Sequence, residues 1–294
     1  MTEGSRQRLH GLLWISPWII GTLLFLAVPV GMSAYYSLTD YQLIESPVYI
    51  GAENYQEMVH DHVFWTSLRN TAIYALGCVV GGTIVSVLIA VLLEQRLRGT
   101  GLVRAIVFLP TLIPIVSASI GWLWLYNGQY GLLNTLLAKI GVHGPDWLGD
   151  ADWAMPSLIL MAMWVVGSAV VICTAALREV PVSLYEAADL DGMGPVTRFR
   201  HVTLPMISPA VLFNAVMAAI WGLQVFAVPL IMTKGGPHDS TLAYSMYVFR
   251  HAFEYGRMGY ASALAWVQFL LTIAVTALAL WFARRFVHYR GGQP

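Results

Sequence analysis

Charge is scarce in this chain. Lys and Arg number 16 and Asp and Glu 16 among 294 residues, 11% in all, where a soluble domain carries about 25%. The net charge is zero, which argues against a nucleic-acid partner. Only two lysines occur: Lys139, followed by Ile140, and Lys234, followed by Gly235. A phosphate-binding loop needs a Gly-rich turn, then Lys and Ser or Thr, so this chain does not hold ATP by that route. The two cysteines, Cys78 and Cys173, both fall in apolar runs and read as buried thiols with nothing to say of redox compartment. No Asp or Glu lies inside an apolar run, Glu94 standing at the edge of one, and all eight histidines read as loop or tail residues. A proton-coupled carrier or an intramembrane hydrolase places ionisable groups at depth, so both classes are disfavoured. A secondary active transporter stays as the second reading. No catalytic constellation and no metal-ligand set is expected. Arg69, at the entry of one apolar run, either snorkels to headgroups or lines an outer vestibule.

What fills the chain instead is apolar: 57% of residues are hydrophobic. A helix needs about 20 apolar residues to cross a bilayer. Six uncharged runs of that size occur, at Leu12–Tyr36, Asn70–Leu93, Ala105–Asn127, Trp153–Leu177, Thr203–Met232 and Met258–Ala283. The expected class is all-α, a polytopic membrane bundle of six spans. Pro110 and Pro114 stand early in the third, and Pro205 and Pro209 open the fifth. The first run is too long for a signal-peptide core, no small-residue cleavage site follows it, and it reads as an uncleaved span.

The segments between runs sort by charge. Arg6, Arg8, Arg96, Arg98, Arg104, Arg178, Arg198, Arg200, Arg284, Arg285 and Arg290 fall on one side, eleven in all. Lys139, Lys234, Arg250 and Arg257 fall on the other, four in all. The positive-inside rule therefore places both termini in the cytoplasm. The loop Thr39–Phe64 agrees as an outer loop, with Asp40, Glu45, Glu53, Glu57 and Asp61 and no Lys or Arg.

One polar stretch interrupts the pattern: Ser183 to Pro205, "SLYEAADLDGMGPVTRFRHVTLP". Ser183 and Glu186 have capping-box spacing, with Ser183 as N-cap. The helix is expected from Leu184 to about Asp191, with Gly192 supplying a left-handed C-terminal turn. Gly194-Pro195 restarts a second helix, Pro195 at its first position, which ends near Leu204-Pro205. Ala187 and Ala188 leave a shallow flank for another surface. The plain alternative is an amphipathic loop lying on the membrane.

The spacing resembles the EAA motif of binding-protein-dependent ABC importer permeases: Glu186-Ala187-Ala188, three residues, Gly192, nine residues, an aliphatic Val202, one residue, Leu204-Pro205. "FWTSLRNTAIYAL" (64–76), "RGTGLVRAIVFLPTLIP" (98–114) and "TKGGPHDSTLAYSMYVFRHAFEYGRMGYASALAW" (233–266) extend the resemblance over most of the chain, toward the carbohydrate branch of lactose or glycerol-3-phosphate permease type. The maltose permease of that branch has a large outer domain and extra spans that this chain lacks.

The resemblance implies the type I importer permease fold. Residues 1–64 would form an N-terminal span and outer loop. Residues 65–294 would form a five-span core with a cytoplasmic loop at 178–205. It implies a bacterial or archaeal cytoplasmic membrane, a second permease subunit, two ATP-binding subunits that hold ATP and Mg, and an extracytoplasmic sugar-binding protein. Glu186, Ala187, Ala188, Asp189, Gly192, Leu204 and Pro205 become candidate contacts to the ATPase. The cargo is expected to be a di- or oligosaccharide, with a sugar phosphate as the alternative. A sugar needs aromatic faces and neutral amides. At about 100° per residue, Asn214, Met217, Trp221 and Gln224 share an arc of the fifth span. They become candidate pathway residues, with Trp164 of the fourth span. The plain alternative is that Asn214 and Gln224 bond neighbouring helices while Trp221 fills space between subunits.

Overall fold

A computed structural model describes residues 3–95 and 99–286, with side chains from 11 to 95 and from 99 to 283. Arg96, Arg98, Arg290 and His288 lie outside the described residues. The side chains of Arg6, Arg8, His10, Arg284 and Arg285 do too. In chain order the helices are α1 (Glu3–Thr22), α2 (Val28–Tyr36), α3 (Glu53–His60), α4 (His62–Glu94), α5 (Thr100–Phe108), α6 (Ile115–Leu125), α7 (Leu132–Lys139), α8 (Ala151–Trp164), α9 (Gly167–Arg178), α10 (Val182–Leu190), α11 (Pro195–Arg198), α12 (Leu204–Leu223), α13 (Ala227–Met232), α14 (Tyr244–Phe249) and α15 (Met258–Phe286). The described strands are β1 (Thr39–Asp40) and β2 (Val48–Tyr49), an antiparallel pair with Thr39 opposite Tyr49. The fold is all-α.

Four helical stretches are long and apolar enough to cross a bilayer: Gly11–Tyr36, His62–Glu94, Pro195–Leu223 and Met258–Ala283. The other two expected spans are broken. Thr100–Leu112 and Ile115–Leu125 meet at 105°, and Ala151–Trp164 and Gly167–Arg178 at 49°. Counting each bent pair as one span gives six. Pro114 causes the sharper break. It leaves Ile113 extended, at φ −83° and ψ 127°, as the residue before a proline prefers. The fourth span breaks at Val165 and Val166 with no proline there.

The fifth span also departs from expectation. Its helix ends at Leu223, not Met232, and Gln224 is its non-helical cap. Short helix α13 follows after the turn. At its other end, no boundary occurs at Leu204-Pro205. The helix runs unbroken from Pro195 to Leu223. A π-turn at Phe199–Thr203 accommodates the proline: the Leu204 N–H reaches back five residues to the Phe199 carbonyl, so the ladder has already shifted register where Pro205 lacks a donor.

The chain divides into two compact units. One contains residues 1–61 and 248–267. Within it, Asn54 donates to the Ser37 and Thr39 carbonyls, both at 3.0 Å. Arg257 grips Glu57 through two hydrogen bonds of 2.7 and 2.5 Å, and Tyr260 donates to Asp61 at 3.1 Å. His251, expected in a loop, is 7% exposed in a π-turn at Arg250–Glu254 and packs against Tyr260.

The second unit contains residues 62–247 and 268–294. Its core has two centres. One gathers Tyr74, Tyr126, Met155, Leu158, Met161 and Met232, with the Tyr126 hydroxyl bonded to the Ser157 carbonyl at 2.7 Å. The other gathers Val87, Ala90, Leu93, Val170, Cys173, Val180 and Ile207. Helix α4 is common to both. Its partner α12 comes closest at Gly222, where a Cβ would stand 2.7 Å from the Ala75 Cα. Lipid tails are as apolar as Leu, so helices in a bilayer are held by such close packing rather than by a hydrophobic drive.

Candidate functional site

The polar stretch folds as a helical hairpin between α9 and the fifth span. Helix α10 starts at Val182, two residues earlier than the capping box requires, so Ser183 is its second residue and not its N-cap. The N-cap is Pro181, whose backbone is held extended at φ −59° and ψ 133° and which offers no side-chain acceptor. The C-terminus is as expected. Gly192 has φ +70°, its N–H meets the Asp189 carbonyl at 3.1 Å, and the Met193 N–H meets the Ala188 carbonyl at 2.9 Å. That pair of bonds is the Schellman arrangement, which satisfies carbonyls at the helix end. Gly194 then caps α11 with Pro195 at its start.

The hairpin is tied across its two arms. Asp189 pairs with Arg198 at 2.7 Å, the Arg198 guanidinium lies 5.8 Å from the Tyr185 ring centroid, and Tyr185 meets the Thr203 hydroxyl at 3.2 Å. Tyr185 and Phe199 also pack on the core centre built around Val87, Cys173 and Ile207. Sequence reasoning named Asp189 but missed Tyr185, Arg198 and Thr203 as its ties. The signal was the i, i+9 spacing of opposite charges across a Gly-Pro turn. Ala188 is the buried residue of α10, whereas Glu186, Ala187, Asp189 and Gly192 are exposed. Leu204 is exposed and Pro205 half-buried where the π-turn joins α12. Outside the ties, the hairpin presents Leu190 at 90% exposure with Val182 and Val196 also open. A polar hairpin that keeps its leucine outward offers an apolar knob beside carboxylates.

The candidate pathway residues Asn214, Met217 and Trp221 share one arc of α12 but differ in burial. Asn214 is buried and donates to the Ala169 carbonyl at 3.1 Å and the Cys173 Sγ at 3.3 Å, both on α9. Met217, Trp221 and Gln224 are exposed, Trp221 at 72%. Gln224 has left the helix, so the angular count that joined it to Trp221 does not hold. Trp164 closes α8, is partly exposed, and meets Trp122 edge-on at 5.8 Å. Among the described residues, no group of three or more His, Cys, Asp or Glu side chains could hold a metal ion.

The sequence profile described as "Binding-protein-dependent transport system inner membrane component" matches residues 82–288. A probable ABC transporter permease protein, YesP, of Bacillus subtilis is 38% identical over 98% of this chain and 94% of its own length. The sulfoquinovosyl glycerol transport system permease protein SmoG of Agrobacterium fabrum is 32% identical over 93% of this chain and 90% of its own. A chain in the crystal structure of a bacterial alginate ABC transporter, in complex with an alginate pentasaccharide-bound periplasmic protein, superposes with a TM-score of 0.80. That likeness covers 96% of both chains at 23% identity, and it concerns the fold.

Proposed function

The chain belongs to the family of binding-protein-dependent transport system inner membrane components, ABC importer permeases, and from that membership we propose that it carries a di- or oligosaccharide or a related glycoside across the membrane. A binding protein delivers the cargo from outside, a second permease completes the pathway, and two ATP-binding subunits drive it. The sugar assignment is supported by the substrates in the names of the SmoG relative and the alginate transporter. It is supported too by spans whose polar groups are amides and aromatics rather than carboxylates.

The observation that carries the mechanism is the tied hairpin. The 182–198 segment docks on an ATP-binding subunit through Glu186, Ala187 and the apolar knob at Leu190. The Asp189–Arg198 and Tyr185–Thr203 ties make the hairpin move as one body with the start of the fifth span. Closing of the ATPase pair then biases a rigid-body switch of the spans, the partner binding one state better than the other. Met217, Trp221, Gln224 and Trp164 line the pathway on this reading, and Asn214 keeps α12 registered on α9. Both termini face the cytoplasm.

The test is Gly192→Val in the assembled importer, reconstituted with its ATPase and binding protein. A β-branched residue at φ +70° costs about 1–2 kcal/mol and loosens the turn. Uptake is expected to fall sharply at unchanged subunit composition. Normal uptake by this variant removes the hairpin from the mechanism.

A further inference from the structure

Between α5 and α9, at the end of the bundle that bears the hairpin, lies a cavity of about 140 Å³. A single water needs roughly 10–15 Å³ of such volume, so the space is about ten times larger than one water requires. Its polar lining is Arg104, Arg178 and Thr174, and its apolar wall includes Val107, Phe108 and Val171. Glu94 accepts from Arg178 at 2.9 Å and pairs with Arg104 at 3.5 Å, so one carboxylate serves two guanidiniums. The Thr174 hydroxyl and the Arg104 Nε have no hydrogen-bond partner but are closed even to a water molecule, so the cavity is served by the outer nitrogens of the two guanidiniums.

The chemistry of the occupant follows by elimination. Water satisfies the guanidiniums but wastes the apolar wall. An acyl chain alone covers the wall but leaves the cations unmet. An anionic amphiphile does both. Phe108 and Val171 remain 37% and 43% exposed, so an apolar tail can pass from the cavity to the bilayer across them. We propose that this cavity seats the phosphate headgroup of an anionic phospholipid. Arg104 and Arg178 hold the phosphate and the Phe108–Val171 wall holds the upper acyl chain. A basic pocket between membrane helices recognises lipid headgroups in this way. The proposal rests on the chain spanning a bilayer and is independent of which sugar it carries.

The experiment is native mass spectrometry of the full importer complex in neutral detergent. Phosphatidylglycerol and phosphatidylcholine of identical acyl chains are offered in parallel. Preferential retention of phosphatidylglycerol is expected. It should drop about fivefold in Arg178→Gln, which leaves Glu94 its Arg104 partner, and further in Arg104→Gln/Arg178→Gln. Size-exclusion of each variant shows whether the complex stays whole. Equal retention of the two lipids overturns the proposal, as does phosphatidylglycerol retention unmoved by the variants. Displacement of the lipid signal by glycerol phosphate at equal concentration also overturns it, since the site then takes a free anion. Arg178→Gln that sheds the partner permease overturns it as well, because the occupant is then an acidic group of that subunit.

Discussion

At the scale of single residues, the outer loop shows how a charge is held. Two Arg257 N–H bonds hold the Glu57 carboxyl below its ordinary value of 4.5. Partial burial works against them and the Arg257 charge reinforces them. Burial pushes the His251 imidazole below 6.5, and the nearby Arg257 charge pushes the same way. The signs agree. A carboxyl with a lowered folded value stabilises above its unfolded value and loses that contribution as pH falls through the folded one. A histidine kept neutral by the fold likewise costs stability once the pH drops below its unfolded value, because the unfolded chain then binds the proton. The loop is expected to weaken in acid in two stages, below pH 6.5 by His251 and below 4.5 by Glu57. Glu57→Gln should lose about 0.2–1 kcal/mol at neutral pH, since both partners are near half exposed. Thermal melts of the complex from pH 7 to pH 3 check this: the gap between wild type and variant should close below 4.5. A gap that persists there means the pair acts by packing and not by charge.

Among the secondary elements, what could be read in advance depended on whether a side chain signalled the local backbone. Gly192 announces the hairpin because few residues tolerate its φ of +70°, and Pro195 because its fixed φ and missing donor suit the first position of a helix, and there the expectation and the fold agree. Pro114 likewise marks the break of the third span, though hydropathy alone runs straight through it. The break at Val165 and Val166 had no such marker. Neither did the π-turns at Leu23–Ala27 and Phe199–Thr203, which insert one residue into apolar or mixed helix without changing the composition. The early end of the fifth span was hidden for the same reason: Val225 to Met232 is as apolar as the span itself. That slip separates the candidate stripe into two roles with different tests. Asn214→Ala removes two bonds to α9 and should cost about 1 kcal/mol of stability, seen as a lower melting point of the complex. Trp221→Ala and Gln224→Ala should leave the melting point and assembly unchanged and impair sugar uptake. If both transport at wild-type rate and affinity, the stripe is packing and the pathway belongs to the partner permease.

For the molecule as a whole, orientation decides every other assignment, because a hairpin for an ATPase must face ATP. The argument for it is the asymmetry of eleven Lys and Arg against four, and several of those arginines lie in segments beyond the described residues. The rule acts through loops close to span ends, and the interior arginines Arg104, Arg178, Arg198 and Arg200 all satisfy that. The chain is well suited to a labelling test. Cys173 is fully buried and Cys78 is partly buried, so the native thiols offer little background. Glu53, exposed in the first turn of α3, and Leu190, the most open side chain of the hairpin, sit on segments expected to face opposite sides. Neither replaces a core residue, so Glu53→Cys and Leu190→Cys should both fold. In intact cells an impermeant maleimide should label Glu53→Cys and spare Leu190→Cys, and permeabilised cells stripped of the ATP-binding subunit that covers Leu190 should label both. The reverse pattern in intact cells would turn the molecule over, place the hairpin outside, and end its role as the contact to an ATP-driven partner.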